Sequence, residues 1–188
     1  MLSDSDRAAL LVIAREAIVA AAHNQPPPAL NLNSLSPALR EPRATFITLN
    51  IGHELRGCIG GLYANQPLAL DVQEHARGAA LHDPRFPPVS PAEVPHLHIE
   101  VSVLTPPKLV PHASPEDLLS SLRPNVDGVI LVSGYRRSTF LPQVWEKVPD
   151  KIQFMEMLSE KMGASPNAWR LPTTEAYRYQ VEIFEEER

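Results

Sequence analysis

Apolar residues recur along the chain with two periods, one helical and one alternating, and together they lay out its elements. Residues 4 to 22 place Leu10, Ile13, Ala14, Ala17, Ile18 and Ala21 at helical spacing, with Asp4 or Ser5 as the expected cap. The polar, proline-rich stretch from 23 to 44 is expected to wrap the surface as a loop. Thr45-Phe46-Ile47-Thr48-Leu49-Asn50-Ile51 is rich in β-branched and aromatic residues. Gly52-His53-Glu54 and then Leu55-Arg56-Gly57-Cys58-Ile59-Gly60-Gly61 follow, which predicts a β-hairpin. A second helix is predicted over 67–81, with His75 as a satisfied histidine near the core. His82-Asp83-Pro84-Arg85-Phe86 reads as a fixed corner, with Asp83 capping backbone amides.

Alternation returns over 98–104, where Ile99, Val101 and Val103 face one way and His98, Glu100 and Ser102 the other. Ser114 is expected to cap a short helix, and Asp127-Gly128 to turn into an apolar strand over 129–132. Residues 134–138 read as a turn carrying Tyr135, Arg136 and Arg137. Thr139 is expected to cap a helical turn through Pro142, with Phe140, Leu141, Val144 and Trp145 inward and Gln143 and Glu146 on a shared face. A helix is predicted over 150–162, capped by Asp150 and stopped at Gly163. Residues 177–184 read as one closing strand before a solvated Glu-rich tail. Hairpin signals interleaved with helices predict an α+β fold, a largely antiparallel sheet with packed helices. The expectation is a single domain over 1–188, with a larger and a smaller lobe as the variant.

Composition narrows the function classes. The net charge is −5 and no Lys or Arg block appears, which argues against nucleic acid and against polybasic membrane contact. A lone cysteine excludes an intrachain disulfide and fits a reducing compartment. The N-terminus lacks a signal-peptide pattern, and the longest apolar run, Ala17 to Ala22, is too short to span a bilayer. A cytoplasmic protein is expected.

The candidate chemistry centres on Cys58. Alternation puts Arg56 and Cys58 on one face, with Cα atoms about 6.5–7 Å apart. A neighbouring cation favours thiolate over thiol. Gly57, Gly60 and Gly61 leave room for a ligand or for another backbone. Against this stands a small buried cysteine among packing glycines. His82 is the best-placed candidate base, and His53 the next. Glu100 meets Arg56 if its strand pairs near the hairpin. Arg136 and Arg137 form a step suited to an anion. His96, His98, His82 and Cys58 lack any established metal-ligand spacing, so no metal is predicted.

Leu-Arg-Gly-Cys-Ile-Gly at 55–60 resembles the signature of the AMMECR domain family, known in prokaryotes as protein A of the AmmeMemoRadiSam system. Phe46-Ile47-Thr48-Leu49, His82-Asp83-Pro84-Arg85-Phe86, the block from Ile99 to Leu104 and the block from Thr139 to Glu146 resemble further family blocks, in the same order. The resemblance implies the α+β fold, a wall near the cysteine that includes Thr139, Gln143 and Glu146, and Memo-like and radical SAM partners. It implies no settled activity and no known cofactor. Two readings follow. One is an enzyme in which Cys58 attacks a small anionic or carbonyl substrate, Arg56 holds it and Gly57 and Gly60 offer amides. The other is a non-catalytic module that binds a ligand or a protein in the same place.

Overall fold

The computed structural model describes residues 2–187. In chain order its elements are α1 (Asp4–Ala22), α2 (Pro37–Arg40), β1 (Thr45–Ile51), β2 (Glu54–Gly60), α3 (Leu68–Leu81), β3 (Leu97–Leu104) and β4 (Lys108–Leu109). Then come α4 (Pro115–Ser121), β5 (Gly128–Ser133), β6 (Arg136–Phe140), α5 (Lys151–Lys161), β7 (Thr174–Tyr179) and β8 (Val181–Glu185). The strands form two four-stranded sheets, ordered β2-β1-β3-β8 and β4-β7-β5-β6. β1 is antiparallel to β2 and β3, and β5 is antiparallel to β6 and β7, so the fold is α+β. The chain divides into two compact units: one runs to Leu104 and resumes at Glu182, and the other is Thr105–Val181.

In the first unit, α1 and α3 cover one face of the sheet. Leu10, Ala14, Ala17 and Ile18 of α1 and Val72, Ala76 and Ala79 of α3 pack with Ile47, Leu49, Ile99 and Val101. Burying each larger aliphatic side chain there contributes about 1.5–3 kcal/mol. The helix comes so close to β2 that a Cβ on Gly57 would lie 2.3 Å from the Ala79 carbonyl oxygen. Gly57 is therefore the residue that lets helix and strand meet.

Several expectations are corrected here. Ser3 caps α1, in a box with Asp6, because its hydroxyl rather than that of Ser5 reaches the Asp6 amide. The stretch over 23–44 is a strap with a 3-10 turn at Leu32–Ser34 and the short α2. Leu39 is buried, and Arg77 and Gln73 of α3 donate to the carbonyls of Gln25 and Pro28. The alternating run at the C-terminal end is two strands, broken at Gln180 and belonging to different sheets. The acidic end is not merely solvated. Glu182 accepts from Arg7, and Glu186 pairs with Arg15 and accepts the Ile99 amide at 3.1 Å.

In the second unit, Leu118, Val129, Leu131, Trp145, Phe154, Leu158 and Trp169 form the core. The Trp145 ring stacks on Phe154 with centroids 3.5 Å apart, and its Nε1 donates to the Asp127 carbonyl at 2.7 Å. Thr139 lies in β6 and caps no helix; its hydroxyl donates to the Val129 carbonyl across the ladder at 2.9 Å. Arg136 and Arg137 are likewise strand residues, after a turn that Gly134 makes at φ +60°. Among the described residues no helix is long and apolar enough to cross a membrane.

Candidate functional site

The hairpin carries a bulge that changes what flanks Cys58. Leu49 pairs with Gly57 and Asn50 with Leu55, so Arg56 is left over opposite β1. The extra residue breaks the alternation. Leu55 shares the register of Asn50, while Gly57 and Ile59 turn to α3. Arg56 goes to the loop that follows α3: its Nε donates to Glu93 Oε1 at 2.7 Å and its Nη2 to Glu93 Oε2 at 3.3 Å. The Arg56 side chain is 12 % exposed. Arg56, followed by the Ser90 amide and hydroxyl, holds the Glu93 carboxyl down at about 2.

Cys58 instead receives the Asp83–Arg85 pair. Asp83 Oδ2 accepts the Cys58 amide at 2.8 Å, filling a hydrogen-bonding site on the outer edge of β2. Arg85 donates twice to Asp83, from Nε at 2.9 Å and from Nη2 at 2.7 Å. This fork, helped by the amides of Cys58 and Arg85 and opposed by burial, holds the Asp83 carboxyl well below the usual carboxylate range. In return Asp83, above all, raises the Arg85 guanidinium, with a smaller push from nearby Cys58. Through Asp83, which bridges it to the Cys58 amide, Arg85 is held near Cys58. Its side chain is 55 % exposed.

Behind the half-buried sulfur, a row crosses the outer face of the sheet. Cys58 pairs with Thr48, and Thr48 with Glu100. Thr48 Oγ1 donates to Cys58 Sγ at 3.5 Å. Burial, with Glu185 adding and His98 opposing, pushes the Glu100 carboxyl up. Glu100 therefore lies in line with Cys58 and does not pair with Arg56, whose charge Glu93 takes.

The other expected residues fall elsewhere. His82 closes α3, and its ring makes no hydrogen bond among the described residues. His53 sits at the hairpin turn, about 16 Å along the strand from Cys58. A Cβ on Gly60 would lie 2.4 Å from the Phe46 ring and the Thr45 carbonyl, so Gly60, like Gly57, serves close packing. Among the described residues no three metal-ligating side chains gather. Arg136, Arg137, Thr139, Gln143 and Glu146 belong to the second unit. There Arg136 donates to the Gly163 carbonyl at 2.6 Å, and Thr139 also meets the Tyr179 hydroxyl at 2.9 Å. Gln143 Oε1 is buried without a hydrogen-bond partner, and Glu146 is exposed.

The AMMECR1 family model matches residues 11–184, nearly the whole described chain. The chain belongs to the AMMECR1 family. This AMMECR1 chain is 41 % identical over 156 residues to a protein of Methanothermobacter thermautotrophicus, covering 82 % of this chain and 81 % of the relative. It is 35 % identical to a protein of Methanosarcina mazei, covering 99 % and 94 %. Its fold is similar to the crystal structure of an uncharacterised protein from Pyrococcus horikoshii, with a TM-score of 0.87, 34 % identity and coverage of 99 % and 94 %. None of these names states an activity. For the AMMECR1 chain, sequence reasoning missed that Asp83 ties Arg85 to the Cys58 amide, although the Asp-Pro-Arg corner was visible. The bulge that displaces Arg56 left no signal beyond Gly57 itself.

Proposed function

We propose that this AMMECR1 protein is an enzyme whose Cys58 thiol adds to a small carbonyl substrate bearing an anionic group. The observation that carries the reading is that buried Asp83 joins the exposed Arg85 guanidinium to the amide of half-buried Cys58. The exposed donors of Arg85 suit a carboxylate on the substrate. In the step proposed, the sulfur forms a bond to the carbonyl carbon and the π electron pair moves to the carbonyl oxygen. That oxygen takes a proton from water. Arg85 takes the part first given to Arg56.

Glyoxylate, which joins an aldehyde to a carboxylate, is the probe. Iodoacetamide should alkylate Cys58 in the folded protein near neutral pH, and glyoxylate should protect it saturably. Protection should disappear in Arg85→Met. A thiol that reacts only after unfolding would remove the enzyme reading. Glyoxylate that binds Cys58→Ala as tightly as wild type would favour the binding module instead, working with Memo-like and radical SAM partners. The occupied Cys58 amide supports that second reading, since it leaves one fewer donor for an oxyanion.

A further inference from the structure

A second constellation lies on the helix-covered side of the same sheet, where α3 passes the start of β1. The Asp71 residue is 3 % exposed and its carboxylate is fully engaged: Thr45 Oγ1 donates to Oδ2 at 2.6 Å and Gln66 Nε2 to Oδ1 at 3.4 Å. Asp71 Oδ2 also meets His75 Nδ1 at 3.1 Å, one helical turn on, and Thr45 Oγ1 lies 3.0 Å from the same nitrogen. An ionised carboxylate only accepts, and the Thr45 proton is already given to it. Nδ1 is therefore assigned the hydrogen, and Nε2 of the neutral ring carries the lone pair. Nε2 has no hydrogen-bond partner among the described residues. It lies 3.7 Å from where a Cβ on Gly61 would stand, so the absence of a side chain at Gly61 keeps its flank open.

His75 opens on a cavity of about 340 Å³, a volume suited to a small ligand. The lining combines Tyr63, Asn65, Gln66 and Glu74 with Asp71 and His75, and no Lys or Arg is among it. Gln66 Nε2 donates to Glu74 Oε2 at 2.6 Å, which leaves Glu74 Oε1 without a hydrogen-bond partner among the described residues. Two carboxylates, a ring nitrogen that accepts and no side-chain cation make a place for a donor with positive charge. Hydrogen bonds between such a donor and a carboxylate are the stronger kind.

We propose that this cavity binds a small primary amine, its ammonium group donating to Glu74 and to Nε2 of His75. Asp71 and Thr45 are positioning residues that fix the ring. The site is independent of the Cys58 reading, because His75 lies on the opposite side of the sheet.

Butylamine is the probe, with butanol and butyrate as neutral and anionic controls, read by NMR of the imidazole Cε1 protons. At about pH 8, where an ordinary imidazole is neutral, butylamine should shift one histidine signal saturably. That signal should be missing in His75→Asn. Glu74→Gln, a change at an exposed residue, should weaken binding about tenfold, as loss of a charged hydrogen bond does. Butanol and butyrate should leave the signal in place. No shift with butylamine, an equal shift with butyrate, or an unchanged affinity in Glu74→Gln would each overturn the proposal. Because Cys58 takes no part in this readout, failure here leaves the thiol reading standing.

Discussion

Two arginines meet carboxylates along the outer edge of β2, and they differ in what their charge is left to do. Arg56 leaves the strand at the bulge and is gripped by Glu93, with its side chain 12 % exposed. Arg85 comes from the loop, is held by Asp83 and stays 55 % exposed. Arg56 is the nearer to Cys58 in sequence, yet its fork faces away. A partly buried, two-point pair fixes the loop to the strand. An exposed guanidinium anchored on one side keeps donors for a substrate. Distance along a strand predicts function only where the ladder has no extra residue.

That contrast can be broken in steps. Gly57→Ala should do the most damage, because its methyl would stand 2.3 Å from the Ala79 carbonyl and push α3 off the strand that carries both features. A loss of about 3 kcal/mol is expected in urea unfolding. Arg56→Met should cost about 2–3 kcal/mol, since it leaves Glu93 unpaired in a partly buried place, while Cys58 keeps its reactivity. Asp83→Ala should cost about 2 kcal/mol by orphaning the Cys58 amide, and it should also slow alkylation by releasing Arg85. Unchanged alkylation in that variant would mean that Arg85 needs no anchor.

Acid should act on both pairs. Asp83 and Glu93 have folded-state values below their unfolded ones. The stability they contribute is complete above about pH 4–5, the unfolded range, and is lost as pH falls through the folded values. Glu93 gives up its share on approaching about 2. In Arg56→Met that share should shrink to the part that the Ser90 amide and hydroxyl hold, while the share of Asp83 remains. Arg85→Met should cost about 2 kcal/mol, because the carboxylate it leaves without a fork, Asp83, is 2 % exposed. An unfolding midpoint unmoved in Arg85→Met would mean that Asp83 needs no fork.

The sequence makes the framework legible and the wiring much less so. Periodicity places α1, α3, the hairpin and α5 because each buries one face, and burial dictates residue type. The single run expected over 177–184 hides a change of sheet, because alternation continues through Gln180 while the hydrogen-bonded neighbours change. Thr139 reads as a cap because its hydroxyl suits one, but in β6 that hydroxyl serves the ladder. At the candidate site, Cys58 and its glycines stand out, whereas the choice between Arg56 and Arg85 depends on one unpaired residue. His75 reads as a satisfied core histidine; its Nδ1 is satisfied, and only the fold shows that Nε2 faces a cavity.

The most direct measurement is the iodoacetamide rate of Cys58 in folded wild type, Arg56→Met and Arg85→Met near neutral pH. The account predicts that Arg85→Met slows alkylation about tenfold, in keeping with a lost cation beside a thiol, while Arg56→Met reacts at the wild-type rate. A slowed Arg56→Met beside an unchanged Arg85→Met would contradict it.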